Sequence, residues 1–180
     1  VDKFKAQMNA LKIGSGLDEG VTMGPVVNER RLKALNELVA DAREKGATIW
    51  QADVPLPNEG CFFAPTLVLN PTLAMRMMQE EPFGPIAIVS EFTSLTDAVQ
   101  EANRLPYGLA AYAYTRNERT ERLLGEQVEA GMIAINHHGL GVPEVPFGGI
   151  KDSGYGTEGG PEAVRAHTLI KFVSAEHEKA

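Results

Sequence analysis

The sequence predicts an α/β fold, a parallel sheet with flanking helices. Three observations carry that prediction. Ile86 to Phe92 is an apolar run broken only by Ser90 and Glu91, and it reads as a strand buried on both faces. From there to Asn136 the pattern alternates strand, helix, strand, helix, strand, which implies right-handed crossovers in a parallel sheet. Polar residues with short acceptor side chains stand where the helices should begin.

The elements follow in order. Val1, Phe4, Met8 and Leu11 recur at helical spacing, so a short amphipathic helix opens the chain. Gly14 to Pro25 reads as a loop rich in Gly and Asp. Asn28 is the N-cap of a helix from about Glu29 to Lys45, with Leu32, Leu35, Val39 and Ala42 as its apolar stripe and Gly46 as its stop. Thr48 to Gln51 is a short strand, and Asp53 to Gly60 is a polar surface loop or hairpin. Phe62 to Leu69 has strand composition, with Pro65 pushing it toward a sheet edge. Ser94 and Asp97 form a capping box that opens a helix carrying Ala98, Val99, Ala102 and Leu105. Ala110 to Tyr114 is a strand, and Asn117 caps a helix with Leu123, Leu124 and Val128 that Gly131 ends. Met132 to Asn136 is the next strand. Gly139 to Gly160 is a long glycine-rich loop, a length that usually marks function or disorder. A short helix near Pro161 to Ala166 and a strand from Thr168 to Val173 close the chain.

The 180 residues suit one domain of ordinary size, and 43% apolar content supplies a core. Seventeen basic residues against 24 acidic ones leave a net charge of −7, which argues against nucleic acid or an anionic membrane as partner. No stretch has the apolar length of a membrane span, and no charged-then-apolar leader opens the chain. Cys61 is the only cysteine, which excludes an internal disulfide and fits a cytoplasmic setting.

Glu80-Glu81-Pro82-Phe83-Gly84-Pro85 holds a carboxylate and an aromatic ring on a stiff backbone. A carboxylate accepts both hydroxyls of a ribose, and a phenyl ring lies against a flat heterocycle, so the run suits a nucleotide cofactor. An ordinary turn between two elements has the same composition. Gly154-Tyr155-Gly156-Thr157-Glu158-Gly159 matches G-x-G-x-x-G, but Gly149 to Ser153 before it is not a strand, so a phosphate cradle is not expected. Cys61, between Gly60 and Phe62, has no basic neighbour in sequence and reads as a packed cysteine. His137 and His138 follow a strand end, where loops of parallel sheets carry ligands. Adjacent histidines lack helical metal-ligand spacing, so pocket lining or a solvated loop is expected and a zinc site is not.

Taken in order, Met23-Gly24-Pro25, Glu80 to Pro85, Asn103 to Ala110, Gly131 to Asn136 and Pro146 to Gly154 resemble the C-terminal part of an aldehyde dehydrogenase. The resemblance lies nearest to bacterial succinate-semialdehyde dehydrogenases. It implies a Rossmann-like catalytic domain, of which residues 1–166 would form a part, with 167–180 as oligomerisation strand and tail. It implies NAD or NADP as cofactor, an aldehyde as substrate and a homo-oligomer joined through Thr168 to Val173. By resemblance, Glu81 binds the nicotinamide ribose and Phe83 packs by the nicotinamide. Asn136 ends the strand before the substrate tunnel, His137 to Val142, with His138, form its mouth, and Phe147 lines it.

The departures from the family pattern are informative. Pro82 replaces a commonly branched residue and stiffens the turn. Gly141 stands where a serine would help hold a distal carboxylate, so the specific aldehyde, succinate semialdehyde or another, is open. The family's nucleophilic cysteine, general-base glutamate, oxyanion-hole asparagine and dinucleotide-binding domain match nothing in residues 1–180, and Cys61 does not occupy the nucleophile's place. The chain is therefore expected to be inactive alone and to self-associate. The alternative reading is a non-catalytic assembly or binding module of the same fold.

Overall fold

Polar caps set the helix boundaries in the computed structural model, which describes residues 1–177. After α1 (Asp2–Asn9), Asn28 opens α2 (Glu29–Glu44) by accepting the Arg31 N–H at 2.9 Å. Gly46, at φ +89°, carries the chain away from α2 into β1 (Thr48–Gln51). β2 (Thr66–Leu69) and β3 (Ile86–Val89) follow, separated by a 3₁₀ turn at Arg76–Met78.

These elements build the first of two compact units, Val1–Glu91. Its sheet has the order β1-β2-β3, antiparallel between β1 and β2 (Thr48 opposite Leu69) and parallel between β2 and β3 (Thr66 opposite Ile86). Alternation along the strands assigns the two faces. Val68, Ile49, Ile86 and Ile88 pack under Leu38 and Ala42 of α2, with Met75 and Met77 between. Leu67, Leu69, Trp50, Ala87 and Val89 face the other way, against Met8 of α1. Leu35, Leu67 and Val68 are completely buried, each contributing about 1.5–3 kcal/mol of transfer free energy. Thr66 is the one buried polar side chain among the described residues; its hydroxyl donates to the Ala64 carbonyl and accepts from Gln51 Nε2.

The second unit is Phe92–Ala180. Ser94 caps α3 (Leu95–Ala102) by accepting the Asp97 N–H, and Asn117 caps α4 (Glu118–Gln127) by accepting from Thr120. β5 (Ala110–Ala113) and β6 (Met132–Ile135) run parallel on either side of α4, as the alternating pattern predicts. Asn103 ties the helix ends together: its amide donates to the Gln127 carbonyl and accepts the Glu129 N–H.

Several expectations need correction. The sheet is not wholly parallel, and the strands form three small sheets rather than one. The strand containing Leu67 is four residues long and central, not an edge from Phe62. Pro65 precedes the first ladder residue, so its missing N–H costs no sheet bond, and its carbonyl still accepts from Ala52. Ile86–Val89 is shorter than the apolar run, half-buried throughout, and terminal in its sheet. The long loop holds structure: β7 (Ile150–Lys151) pairs antiparallel with β4 (Tyr107–Gly108), and Phe147 bridges to Glu158. A final helix α5 spans only Ala163–Ala166. Thr168 to Val173 forms no strand with any described segment; Leu169 and Phe172 are 97% and 88% exposed.

Backbone contact explains the glycines of the second unit. A Cβ on Gly131 would stand 1.9 Å from the Gly148 carbonyl oxygen, so the loop carrying Phe147 can lie on β6 only if Gly131 has no side chain. Gly131→Ala should cost about 1–3 kcal/mol through overpacking against rigid backbone, read as a lower urea midpoint with unchanged slope.

Candidate functional site

The turn after the 3₁₀ segment separates two adjacent carboxylates by their partners. Arg76 forms a two-pronged pair with Glu80, Nε to Oε1 and Nη2 to Oε2, both at 2.9 Å. That contact holds the Glu80 carboxyl below the ordinary carboxylate range and raises Arg76. The Glu81 carboxylate makes no hydrogen bond or ion pair with any described residue. The turn then closes on itself, with the Phe83 N–H donating to the Glu81 carbonyl at 2.9 Å and Ile86 to Gly84 at 2.8 Å.

Phe83 is 64% exposed, and Glu81, Pro82, Phe83, Gly84 and Ile86 line a shallow cavity of about 410 Å³. The predicted pair is thus brought together: an unpaired carboxylate and an open aromatic face on one concavity. The other side of the ring meets the Arg31 guanidinium, 5.7 Å from its centroid. A second cavity, about 440 Å³, lies there between Met23-Gly24-Pro25 and Phe83-Gly84-Pro85, so two motifs far apart in sequence share one wall. Gly84 admits this packing because a Cβ there would lie 2.5 Å from Leu35 Cδ1. The chemistry fits a nucleotide: the carboxylate accepts two vicinal hydroxyls, and the ring offers an apolar plate.

The second unit holds the remaining predicted residues. Asn136 has φ +64° just past β6, a left-handed conformation that Asn tolerates. Its side chain is spent on the backbone, accepting the Thr115 N–H at 2.9 Å and donating to the Thr115 carbonyl at 2.8 Å. Asn136 therefore fixes where the following loop begins. His137 Nδ1 accepts the Gly139 N–H at 3.0 Å, which leaves its ring proton on Nε2 as a donor. His138 Nε2 lies 2.7 Å from the Tyr114 hydroxyl, with Tyr112 and Tyr114 rings 5.4 and 5.7 Å from its own. Phe147 is pinned by reciprocal backbone bonds with Glu158, both 2.7 Å. The tyrosines went unnoticed as site residues in the sequence, although their two-residue spacing at a strand end places them on one face.

Among the described residues no group of three or more His, Cys, Asp or Glu side chains could hold a metal ion. No described helix is long and apolar enough to cross a membrane. The G-x-G-x-x-G run follows the two-residue β7, a strand the sequence did not suggest, yet it opens no helix: α5 begins only at Ala163. Cys61 is half-buried, its carbonyl accepting from Val26.

Comparison with known proteins gives one consistent picture. The model of the aldehyde dehydrogenase family matches residues 1–173. The chain is 43% identical to 4-(hydroxymethyl)benzenesulfonate dehydrogenase TsaD1 of Comamonas testosteroni over 173 residues, covering 96% of this chain and 36% of that protein. It is 38% identical to the mitochondrial succinate-semialdehyde dehydrogenase of Rattus norvegicus, covering 96% and 33%. The crystal structure of succinate-semialdehyde dehydrogenase from Burkholderia pseudomallei superposes with a TM-score of 0.90 at 36% identity, over 94% of this chain and 35% of that one. The chain thus spans about a third of the length of the relatives it matches.

The Arg76–Glu80 pair predicts an acid-sensitive turn. A carboxyl whose pKa is lower when folded contributes stability that is complete above its unfolded value, about 4.3, and is lost as pH falls through the folded one. Amide exchange at Glu80 and Phe83, after correction for intrinsic rates, should therefore accelerate as pH drops below about 4, and Arg76→Met should remove most of that dependence.

Proposed function

This chain belongs to the aldehyde dehydrogenase family, and we propose that it supplies part of the catalytic domain of an NAD- or NADP-dependent enzyme that oxidises an aldehyde to a carboxylic acid. Residues 1–166 belong to that catalytic domain in this reading, and 167–180 are its assembly strand and tail. The observation that carries it is the contrast between Glu80, neutralised by Arg76, and Glu81, whose carboxylate has no partner among the described residues and stands beside an exposed Phe83.

Glu81 would hold the ribose hydroxyls of the cofactor, and Phe83 would pack by its nicotinamide. When bound, the nicotinamide supplies the hydride acceptor. The residues of this chain bind and orient. Two hydroxyls on one carboxylate fix the ribose rotation, and the stiff Pro82–Pro85 backbone keeps the carboxylate where the ribose needs it. The reacting thiol, which would form a thiohemiacetal and then a thioester, is proposed to come from outside residues 1–180, because Cys61 stands on a different loop and is half-buried.

Asn136, His137, His138 and Phe147 would line the substrate tunnel. The His137 Nε2–H suits an acceptor on the far end of the aldehyde, so a semialdehyde such as succinate semialdehyde, or another aldehyde bearing an anionic group, is the proposed substrate class. The exposed Leu169, Ile170 and Phe172 support assembly with further copies through strand addition. The non-catalytic module would share that assembly surface but gives no role to the unpaired Glu81.

Two results test the proposal. Glu81→Gln in the full-length protein should weaken NAD or NADP binding about 10- to 100-fold in a fluorescence titration, the loss of charge-assisted hydrogen bonds, while Glu80→Gln should change it far less. The 180-residue chain alone should give no NAD(P)H above the uncatalysed rate with a panel of aldehydes; robust turnover would contradict the assignment of the nucleophile.

A further inference from the structure

We propose that Asp41, on α2, is a positioning residue for the cofactor: it anchors the 3₁₀ turn that delivers Glu81 and Phe83. This rests on the ribose-binding role proposed for Glu81.

The turn lacks a cap of its own. Met75 occupies the N-cap position of Arg76–Met78, and its side chain caps no N–H. The first N–H groups of any helical turn need an acceptor from elsewhere. Asp41 provides one from a different element: its Oδ2 accepts the Arg76 backbone N–H at 2.8 Å. Its Oδ1 accepts Lys45 Nζ at 2.6 Å, and the same ammonium donates to the Ala74 carbonyl at 2.7 Å. One carboxylate and one ammonium thus clamp the backbone on both sides of Met75, which is itself completely buried.

The clamp passes directly to the site. Arg76, once its N–H is held, grips Glu80 with its guanidinium, and its carbonyl accepts the Gln79 and Glu80 N–H groups, both at 2.8 Å. Glu81 is the next residue. At the far end α2 acts again, with Leu35 under Gly84 and Arg31 against the Phe83 ring. Arg31, Leu35, Leu38, Asp41 and Lys45 recur every three or four residues, so one face of one helix runs along the whole segment from Ala74 to Gly84. Asp41 and Lys45 are the charged members that bond that segment's backbone, Asp41 at the Arg76 N–H and Lys45 at the Ala74 carbonyl. Asp41 is held ionised, its pKa lowered by the Lys45 bond and then by the Arg76 N–H.

The test is cofactor titration of the full-length protein with Asp41→Ala, Asp41→Asn, Lys45→Met and Glu81→Gln, alongside thermal melts. Asp41→Ala should raise Kd for NAD or NADP about tenfold, with kcat at saturation changing less than about threefold. Asp41→Asn should recover most of the affinity, because the amide oxygen still accepts the Arg76 N–H. If Asp41→Ala fails to fold, Lys45→Met reads the same claim, with an expected two- to threefold loss of affinity, about half the clamp. A lowered Tm with Kd within about twofold of the parent would make Asp41 merely structural and overturn the inference. If Glu81→Gln itself leaves Kd unchanged, the ribose reading has failed, and amide exchange at Phe83 decides the positional claim: about tenfold faster in Asp41→Ala or Lys45→Met supports it, and unchanged exchange overturns it.

Discussion

The packing of α2 across β1, β2 and β3 is the constraint on which the first unit depends. Leu38 and Ala42 sit on Val68, Ile86 and Ile88, and that contact fixes the helix against the sheet. A helix fixed in this way becomes a straight edge, with side chains recurring about 5 Å apart along one face. The segment between β2 and β3 has one short 3₁₀ turn and rejoins the sheet only at Pro85, whose carbonyl accepts the Thr66 N–H, so it takes its course from that edge. Met75 and Met77 fill the apolar gap beneath it, and Gly84 presses on Leu35. The exposed carboxylate and ring therefore sit on a loop that is held almost as firmly as an element of the sheet, which a cofactor contact of fixed geometry requires.

The second unit uses backbone contact for the same end. Gly108 and Gly131 accept carbonyls so close that no side chain fits, and Lys151 crosses under the loop to reach the Asn103 and Leu105 carbonyls and the Glu129 carboxylate. Lys151 holds a positive φ of +55° to do so. Its ion pair is partly exposed, so it contributes direction more than stability. Asn136 bonds both the N–H and the carbonyl of Thr115 through its side chain and thereby fixes the departure point of His137 and His138.

Much of this was legible in the sequence because the signals are local. Asn28, Ser94 and Asn117 each cap the helix they were expected to cap, and the apolar spacing of Leu35, Val39 and Ala42 marked the buried face of α2. Glu81 and Phe83 stood out because Pro and Gly punctuate their turn. What was not legible depends on distant partners. Pro65 argued for an edge, yet the residue after it begins a central strand, since a proline just outside the ladder costs nothing. Thr168 to Val173 has strand composition but no partner strand among the described residues. The two-residue strands β4 and β7, paired as Tyr107 with Lys151 and Gly108 with Ile150, are too short and too separated for periodicity to reveal. Asp41 has a local partner in Lys45, four residues on, but its bond to the Arg76 N–H comes from a segment 35 positions away, which helical periodicity does not reveal.

The central claim is that Glu81 is the unpaired member of a carboxylate pair because it is kept for the cofactor. A crystal structure of the full-length protein with NAD or NADP tests this most directly. Both ribose hydroxyls nearest the nicotinamide should lie within about 2.5–3.0 Å of the Glu81 carboxylate oxygens, with Glu80 still gripped by Arg76 and the Phe83 ring beside the nicotinamide. A cofactor bound elsewhere, or a Glu81 side chain still turned to solvent in a fully occupied complex, would contradict the account.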